Sequence, residues 1–236
     1  MDIRIREFSK RFGSTRVLED VDIDLPGGRL YCLIGLNGAG KTTFLNCLAG
    51  LQAPSSGEIL MDGERISHTK VGLRRRLFYL PEFPVAFIEW TPLQFLSSVL
   101  HVYGREAEAE EVFAVLADLD LLEKADHPIG ALSRGQAYKA GLAALHLVSP
   151  RLWLLDEPFA SGMDSHGLLQ FKRWARAAAD NGATVIYSTQ ILSVAETFSD
   201  EILVVHGRGV SAMEAGESGS FEGFVERLRA AEHAGQ

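Results

Sequence analysis

Cysteine is scarce in this sequence, since Cys32 and Cys47 are the only two among 236 residues. Neither lies in a CxxC pair or beside a histidine, and both are surrounded by apolar residues. Such a pair indicates buried thiols rather than a disulfide framework, a redox centre or a thiolate metal site.

Long apolar runs are also missing. The longest, residues 30–36 and 137–148, fall far short of the ~20 residues that cross a bilayer. We therefore do not expect this chain to form a membrane pore by itself. Residues 1–4 lead straight into an alternating pattern, with no charged segment followed by an apolar export core. The protein is accordingly expected to reside in the cytoplasm.

Basic residues are too few to hold a nucleic acid by charge. Lysine and arginine total 23 against 31 acidic residues, a net charge of −8, which supplies no general field for a phosphate backbone. The seven histidines are scattered, without the spacing typical of a metal site. The composition does include 47% hydrophobic residues, the usage of a globular protein with a sizeable core.

The apolar pattern predicts an α/β fold. Ile3 and Ile5, and later residues 21–25, alternate with charged residues, as strands with one exposed face do. Residues 30–34 are continuously apolar, which is typical of a buried central strand. Strand-like segments return after Pro150, at residues 152–155, 184–187 and 202–205. Because helical stretches separate them, we expect a mostly parallel sheet.

The middle of the chain has a helical period. Thr91, Pro92 and Gln94 form a helix start, because the hydroxyl caps the first turn, proline fits it and glutamine reaches back. Trp90 can pack onto Phe95 next to this cap. Apolar residues then recur along two helical faces: Leu93, Leu96, Leu100 and Tyr103, and Val112, Val115, Leu116, Leu119 and Leu122.

These patterns predict a single domain over residues 1–236, with a helical subdomain at about residues 83–148. The tail from residue 216 holds one weakly amphipathic segment, residues 221–231. It is too short to form a further domain.

Residues 35–42 match the phosphate-loop pattern GxxxxGKT, between a buried strand and a helix. Glycines let successive N–H groups point at phosphates at the positive end of a helix. Lys41 would reach the β and γ phosphates, and Thr42 would ligate Mg²⁺. The alternative is a glycine-rich turn that merely contains lysine. The expected nucleotide-binding residues are Gly35, Asn37, Gly38, Ala39, Gly40, Lys41, Thr42 and Thr43.

Two adjacent carboxylates, Asp156 and Glu157, follow the predicted strand at residues 152–155. Ligands of parallel sheets bind at such strand tips. Asp156 is then the acid on the Mg²⁺ side, and Glu157 is the general base that activates water for attack on the γ phosphate. Alternatively, both carboxylates cap the turn at Pro158.

A third element, Ser133 to Gln136, precedes a long helix. Ser133 and Gln136 make a capping box, and Gly135 in the first turn leaves the end of the helix bare. A bare helix N-terminus can bind an anion. A capping box without any ligand is the alternative.

Together these segments resemble the ATP-binding cassette (ABC) ATPase family. LSRGQ at residues 132–136 is similar to the LSGGQ signature, and GLNGAGKTT and LWLLDEP resemble the two phosphate-site motifs. The resemblance covers nearly the whole chain, in order and in spacing. It implies a P-loop NTPase fold: a RecA-like core with a mostly parallel sheet, an N-terminal antiparallel β subdomain, and an inserted α-helical subdomain that carries the signature.

The resemblance also implies that two such domains pair head to tail. Each ATP would then lie between the phosphate loop of one chain and Ser133, Gly135 and Gln136 of the other. Phe12 falls where the family stacks an aromatic residue on adenine, unless it is an ordinary packed phenylalanine. Asp164 falls in the loop that communicates across the dimer.

Three positions depart from the family pattern. Gln190 replaces a histidine that contacts the γ phosphate, Glu82 replaces a metal-contacting glutamine, and Arg134 replaces a glycine and adds a cation beside the incoming phosphate. Glutamine cannot carry a charge, whereas a carboxylate suits Mg²⁺. These changes bear on the rate of hydrolysis rather than on ATP binding. The resemblance thus assigns catalysis to Lys41, Glu157 and Gln190, and metal binding to Thr42, Glu82 and Asp156.

Large apolar residues follow Glu82, namely Phe83, Phe87, Ile88 and Trp90. So many in a proline-interrupted loop suggest a docking surface, with partial burial in the local core as the alternative.

The resulting hypothesis is the ATP-hydrolysing subunit of an ABC transporter. It would pair with a second ATP-binding subunit, identical or different, beneath separately encoded transmembrane permease subunits, most simply in export. It would be cytoplasmic and peripheral on the inner face of the cell membrane. The alternatives are a hydrolysis-poor regulatory cassette in a heterodimer, which Gln190 favours and Glu157 opposes, and a non-transport P-loop ATPase, kinase or GTPase.

Overall fold

The computed structural model describes residues 1–67, 69–83 and 87–215; the predicted amphipathic segment at residues 221–231 lies outside them. The strands are β1 Ile3–Phe12, β2 Thr15–Leu25, β3 Leu30–Ile34, β4 Ser56–Met61, β5 Glu64–Arg65, β6 Leu77–Leu80, β7 Leu152–Leu155, β8 Thr184–Thr189, β9 Glu201–His206 and β10 Gly209–Glu214. The helices are α1 Lys41–Leu48, α2 Val71–Arg74, α3 Pro92–Tyr103, α4 Ala109–Asp118, α5 Arg134–Val148, α6 Ser165–Asp180 and α7 Leu192–Phe198. Short 3₁₀ helices occupy Leu122–Lys124, Ile129–Ala131 and Pro158–Ala160.

The strands form an antiparallel sheet and a mostly parallel one. The first has the order β2-β1-β4-β5, and its alternating pattern puts Ile3 and Ile5 on the buried face. The second has the order β10-β9-β3-β8-β7-β6, with β10 alone antiparallel to its neighbour among the described strands. The predicted α/β fold with an N-terminal antiparallel sheet is confirmed.

The parallel sheet positions the functional residues. The fully buried strands β3, β7 and β8 lie side by side, so their carboxyl ends open at one edge. The phosphate loop follows β3, the two carboxylates follow β7, and Gln190 follows β8. Segments that are distant in sequence therefore meet at this edge.

The helical region begins with the predicted cap. The Thr91 hydroxyl accepts from the Gln94 backbone N–H at 3.3 Å, and the Gln94 side chain accepts from the Thr91 N–H at 3.0 Å. Phe87 inserts beside the predicted staple, stacking on Trp90 at 4.4 Å and lying 6.2 Å from Phe95. This cap fixes the start of α3.

One predicted helical position is wrong. The face assigned to the second helix holds for Val115 and Leu116, which are buried in α4. Leu122, however, lies beyond the end of that helix in a 3₁₀ turn and is 46% exposed. The backbone reverses at Asp120, where φ is +54°, so the helical period does not continue to Leu122.

The structure confirms the prediction that both cysteines are buried thiols. Cys32 and Cys47 are both buried and free, and burial raises the pKa of the Cys32 thiol to about 12 and that of Cys47 to about 11. Neither thiol is therefore ionised near neutral pH. Within the described residues, no helix has both the length and the apolar character needed to cross a bilayer.

Candidate nucleotide site

The phosphate loop connects β3 to α1. Gly38 and Gly40 adopt φ of +80° and +109°, a region that glycine enters without strain. Gly35 is confined differently, because a Cβ there would lie 2.7 Å from the Val205 carbonyl oxygen. The Lys41 ammonium donates to the Gly35 carbonyl at 2.8 Å. The loop is thus curled over the N-terminus of α1, as a phosphate cradle requires.

A cavity of about 370 Å³, here called the phosphate-loop cavity, lies over this loop. Its wall is formed by residues 36–38 and 40–43 of the loop, together with Phe12, Val17, Glu82, Glu157 and Gln190. Phe12 is 49% exposed, and Lys10 Nζ lies 4.9 Å from the centre of its ring. The exposed part of the ring can stack on a planar ligand. Of the residues expected to bind nucleotide, Gly35 and Ala39 belong to the loop without lining the cavity.

Asp156 lies behind the cavity wall and accepts hydrogen bonds from three hydroxyl groups. Asp156 Oδ2 accepts from Thr42 Oγ1 at 2.7 Å and from the Tyr79 hydroxyl at 3.5 Å, and Asp156 Oδ1 accepts from Ser188 Oγ at 2.6 Å. Ser188 Oγ also accepts from the Glu157 backbone N–H at 2.8 Å. Sequence reasoning did not single out Ser188, although its place two residues before Gln190 at the end of β8 could have indicated it.

Glu157 is a buried carboxylate facing a cation. Its backbone adopts φ of +48°. Its side chain lines the phosphate-loop cavity, and its Oε1 lies 3.8 Å from Lys41 Nζ. Burial raises the pKa of Glu157, while the charge of Lys41 and a hydrogen bond from Gln190 lower it in part. A carboxyl group with a raised pKa is better matched to a general base than an exposed glutamate.

Gln190 links the phosphate loop to the carboxylate. Its amide Nε2 donates to Asn37 Oδ1 at 2.8 Å and lies 3.5 Å from Glu157 Oε1. The structure therefore brings Lys41, Thr42, Glu82, Glu157 and Gln190 to one cavity, with Asp156 directly behind Thr42.

The signature segment lies elsewhere. The Ser133 hydroxyl accepts from the Gln136 N–H at 3.2 Å, and the Gln136 side chain accepts from the Ser133 N–H at 2.9 Å, so the predicted capping box is present. Neither residue, nor Gly135, lines the phosphate-loop cavity of its own chain.

Gly135 has a packing role that the sequence pattern did not indicate. It is buried against the loop before α6, and a Cβ there would collide with the Gly162 carbonyl oxygen. Glycine is required here for close packing.

Asp164 is engaged within its own chain. It caps α6 by accepting from the Gly167 N–H at 2.8 Å, and it pairs with Lys139 Nζ at 2.7 Å. Lys139 is 3% exposed, and such a buried cation needs a partner. Sequence reasoning missed Lys139, which carried no local motif.

Arg134 also has a partner that the sequence did not suggest. Its Nη2 donates to Glu82 Oε1 at 2.8 Å, and its guanidinium lies 4.1 Å from the centre of the Phe83 ring. Within the chain, the signature cation thus faces a carboxylate of the phosphate-loop cavity.

Comparisons with known proteins identify the family of this chain. The family model described as ABC transporter matches residues 18–160. The chain is 30% identical to the SkfA peptide export ATP-binding protein SkfE of Bacillus subtilis (strain 168) over 210 residues, 87% of this chain and 86% of that one. It is 34% identical to the sulfate/thiosulfate import ATP-binding protein CysA of Methylococcus capsulatus (strain ATCC 33009 / NCIMB 11132 / Bath) over 87% of this chain, but the match spans only 61% of CysA. A solved ATP-binding subunit of an ABC transporter superposes with a TM-score of 0.86 at 26% identity, covering 98% of this chain and 99% of that one.

Proposed function

This chain belongs to the ABC transporter family as an ATP-binding subunit, and we propose that its phosphate-loop cavity binds ATP with Mg²⁺ to drive separately encoded permease subunits. The observation that carries the proposal is the meeting of Lys41, Thr42, Glu157 and Gln190 in one cavity. A cation, a hydroxyl, a carboxylate and an amide there match the needs of phosphoryl transfer. Phe12 at the same wall would stack on the adenine.

The donor set fits Mg²⁺. Thr42, Glu82 and Asp156 would hold the ion, since all three offer oxygen atoms and the Thr42 hydroxyl already contacts Asp156 at 2.7 Å. When bound, Mg²⁺ would neutralise charge on the β and γ phosphates. The protein itself supplies Lys41 to the phosphates and Glu157 to accept the proton of the attacking water.

A second ATP-binding subunit would complete the site. Ser133, Gly135 and Gln136 do not line the phosphate-loop cavity of their own chain, so a phosphate bound there would meet them only across a pair of chains. ATP would close this pair and move the membrane part, and hydrolysis would open it again.

The contact for the membrane subunit is proposed at an apolar groove of about 360 Å³ between β6, α3 and α5. Phe87 and Trp90 line it, and the adjoining Ile88 is 56% exposed. Pro81 directly before Glu82 and Phe87 after it both line this groove, so nucleotide state at Glu82 can be relayed to a partner. Docking there would hold the protein at the cytoplasmic face of the membrane.

The double substitution of serine for Phe87 and Ile88 is expected to abolish co-purification with the membrane subunit while leaving ATP binding unchanged. Truncation of aromatic anchors in an interface costs ~2 kcal/mol or more, about thirtyfold in affinity. Recovery of the complex from detergent-solubilised membranes measures the effect. The matched control replaces Phe113 and Leu122, which are similarly exposed but lie outside the groove. Equal recovery of the complex with both double variants would show that the groove is not part of the interface with the membrane subunit.

Export is the proposed direction, in keeping with the name of SkfE. A hydrolysis-poor regulatory cassette is a second candidate, because Gln190 has no charge with which to hold the γ phosphate.

Gln190→His tests the second candidate, in which Gln190 makes the cassette hydrolysis-poor. Charge-assisted hydrogen bonds are roughly twice as strong as neutral ones, and each ~1.4 kcal/mol changes a rate tenfold. We therefore expect ATP turnover to rise at least several-fold, with no comparable gain in nucleotide affinity. The gain should vanish in a Glu157→Gln background. Phosphate release and fluorescent-nucleotide titration measure the two quantities, and unchanged or lower turnover would contradict the idea that Gln190 limits hydrolysis.

A further inference from the structure

Glu82 takes part in both the phosphate-loop cavity and an ion pair. Its side chain forms part of the phosphate-loop cavity wall, and it also accepts from Arg134 Nη2 at 2.8 Å. Glu82 follows β6 of the parallel sheet, whereas Arg134 is the first residue of α5. The ion pair therefore ties the start of the signature helix to the cavity wall.

Two contacts fix Arg134 in this position. Its guanidinium lies 4.1 Å from the centre of the Phe83 ring while it donates to Glu82, so a cation–π contact supports the ion pair. The Arg134 and Glu82 side chains are 42% and 37% exposed. Ion pairs this exposed are weak, so a competing cation can break this one.

We infer that Arg134 is a positioning residue that competes with Mg²⁺ for Glu82. The inference rests on the proposed function, in which Glu82 faces the metal. Because coupling between two binding events is reciprocal, Arg134 weakens Mg²⁺-dependent nucleotide binding, and bound Mg²⁺ releases Arg134 from Glu82. The N-terminus of α5 is thereby freed from the cavity wall only when the cavity is loaded.

Arg134→Ala tests the competition. Titration of Mg²⁺ at a fixed, subsaturating concentration of a fluorescent ATP analogue gives the Mg²⁺ concentration for half-maximal binding. We expect this concentration to fall about two- to fivefold, the range set by an exposed ion pair. Binding measured in EDTA should not tighten. A general loss of positive charge near ATP would instead weaken binding with and without Mg²⁺.

The matched control is Arg76→Ala. Arg76 pairs with Glu64 at 3.1 Å, with side chains 41% and 47% exposed, and neither residue lines the phosphate-loop cavity. This variant should bind as the wild type does. In a Glu82→Gln background, Arg134→Ala should no longer alter the Mg²⁺ dependence.

The outcomes distinguish a failure of the proposed competition from a failure of the proposed function. Equal Mg²⁺ dependence in wild type and Arg134→Ala, or an effect that survives in Glu82→Gln, would overturn the competition alone. If the wild-type protein bound no nucleotide with Mg²⁺, the proposed function would fail together with this inference.

Discussion

Replacing Glu157 with glutamine is expected to lower ATP turnover by ~10²- to 10⁴-fold, the contribution of a general base, while ATP binding persists. Glutamine keeps the shape and hydrogen bonding of the side chain but cannot accept the proton of water. Lys41, 3.8 Å away, would remain available to the phosphates. Phosphate release and equilibrium nucleotide binding, measured on the same preparation, separate the two effects.

The pH profile gives this prediction a second readout. Burial raises the pKa of Glu157, and Lys41 offsets only part of this increase. A general base works when deprotonated, so wild-type turnover should fall as the pH drops through this raised pKa. Glu157→Gln should lose that acidic limb. Glu123→Gln, an exposed substitution of the same chemistry, is the control. Undiminished turnover in Glu157→Gln would show that another group activates the water.

Local chemistry explains why much of the fold could be predicted. Each of the capping boxes at Thr91 and Ser133 involves residues within a four-residue segment, so the sequence predicted both. The continuous apolar run of β3 and the glycines after it likewise determine a buried strand and a phosphate loop. The end of the helical face at Leu122 was missed because a turn at Asp120 intervenes.

The rest of the candidate site depends on contacts between distant segments. Arg134 and Glu82 are 52 residues apart in the chain, and neither carries a motif that names the other. Gly135 likewise lies in a helix-capping pattern, but glycine is required there because the backbone of Gly162 leaves no room for a Cβ. Such pairings arise only when α5 packs between β6 and the loop before α6. The spacing of apolar residues along the chain does not predict how these elements pack.

A shared site predicts that Ser133→Arg abolishes ATP-dependent pairing of chains and lowers hydrolysis by an order of 10²–10³, as expected when contacts to the transition state are lost. Arginine would displace the capping hydroxyl and fill the space for the partner's γ phosphate. Binding of ATP at Lys41 should survive, because Ser133 does not line the phosphate-loop cavity of its own chain.

Thr91→Arg is the matched control for this variant, because Thr91 caps α3 with the same capping box that Ser133 makes at α5. Both substitutions lose one cap, worth ~1 kcal/mol of stability, so a difference between them reports something other than folding. Sedimentation of each variant with ATP, in a Glu157→Gln background that prevents turnover, measures pairing. We expect Thr91→Arg to pair and Ser133→Arg to stay monomeric while still binding ATP. Loss of ATP binding together with pairing, in a folded Ser133→Arg protein, would instead place the whole site within one chain.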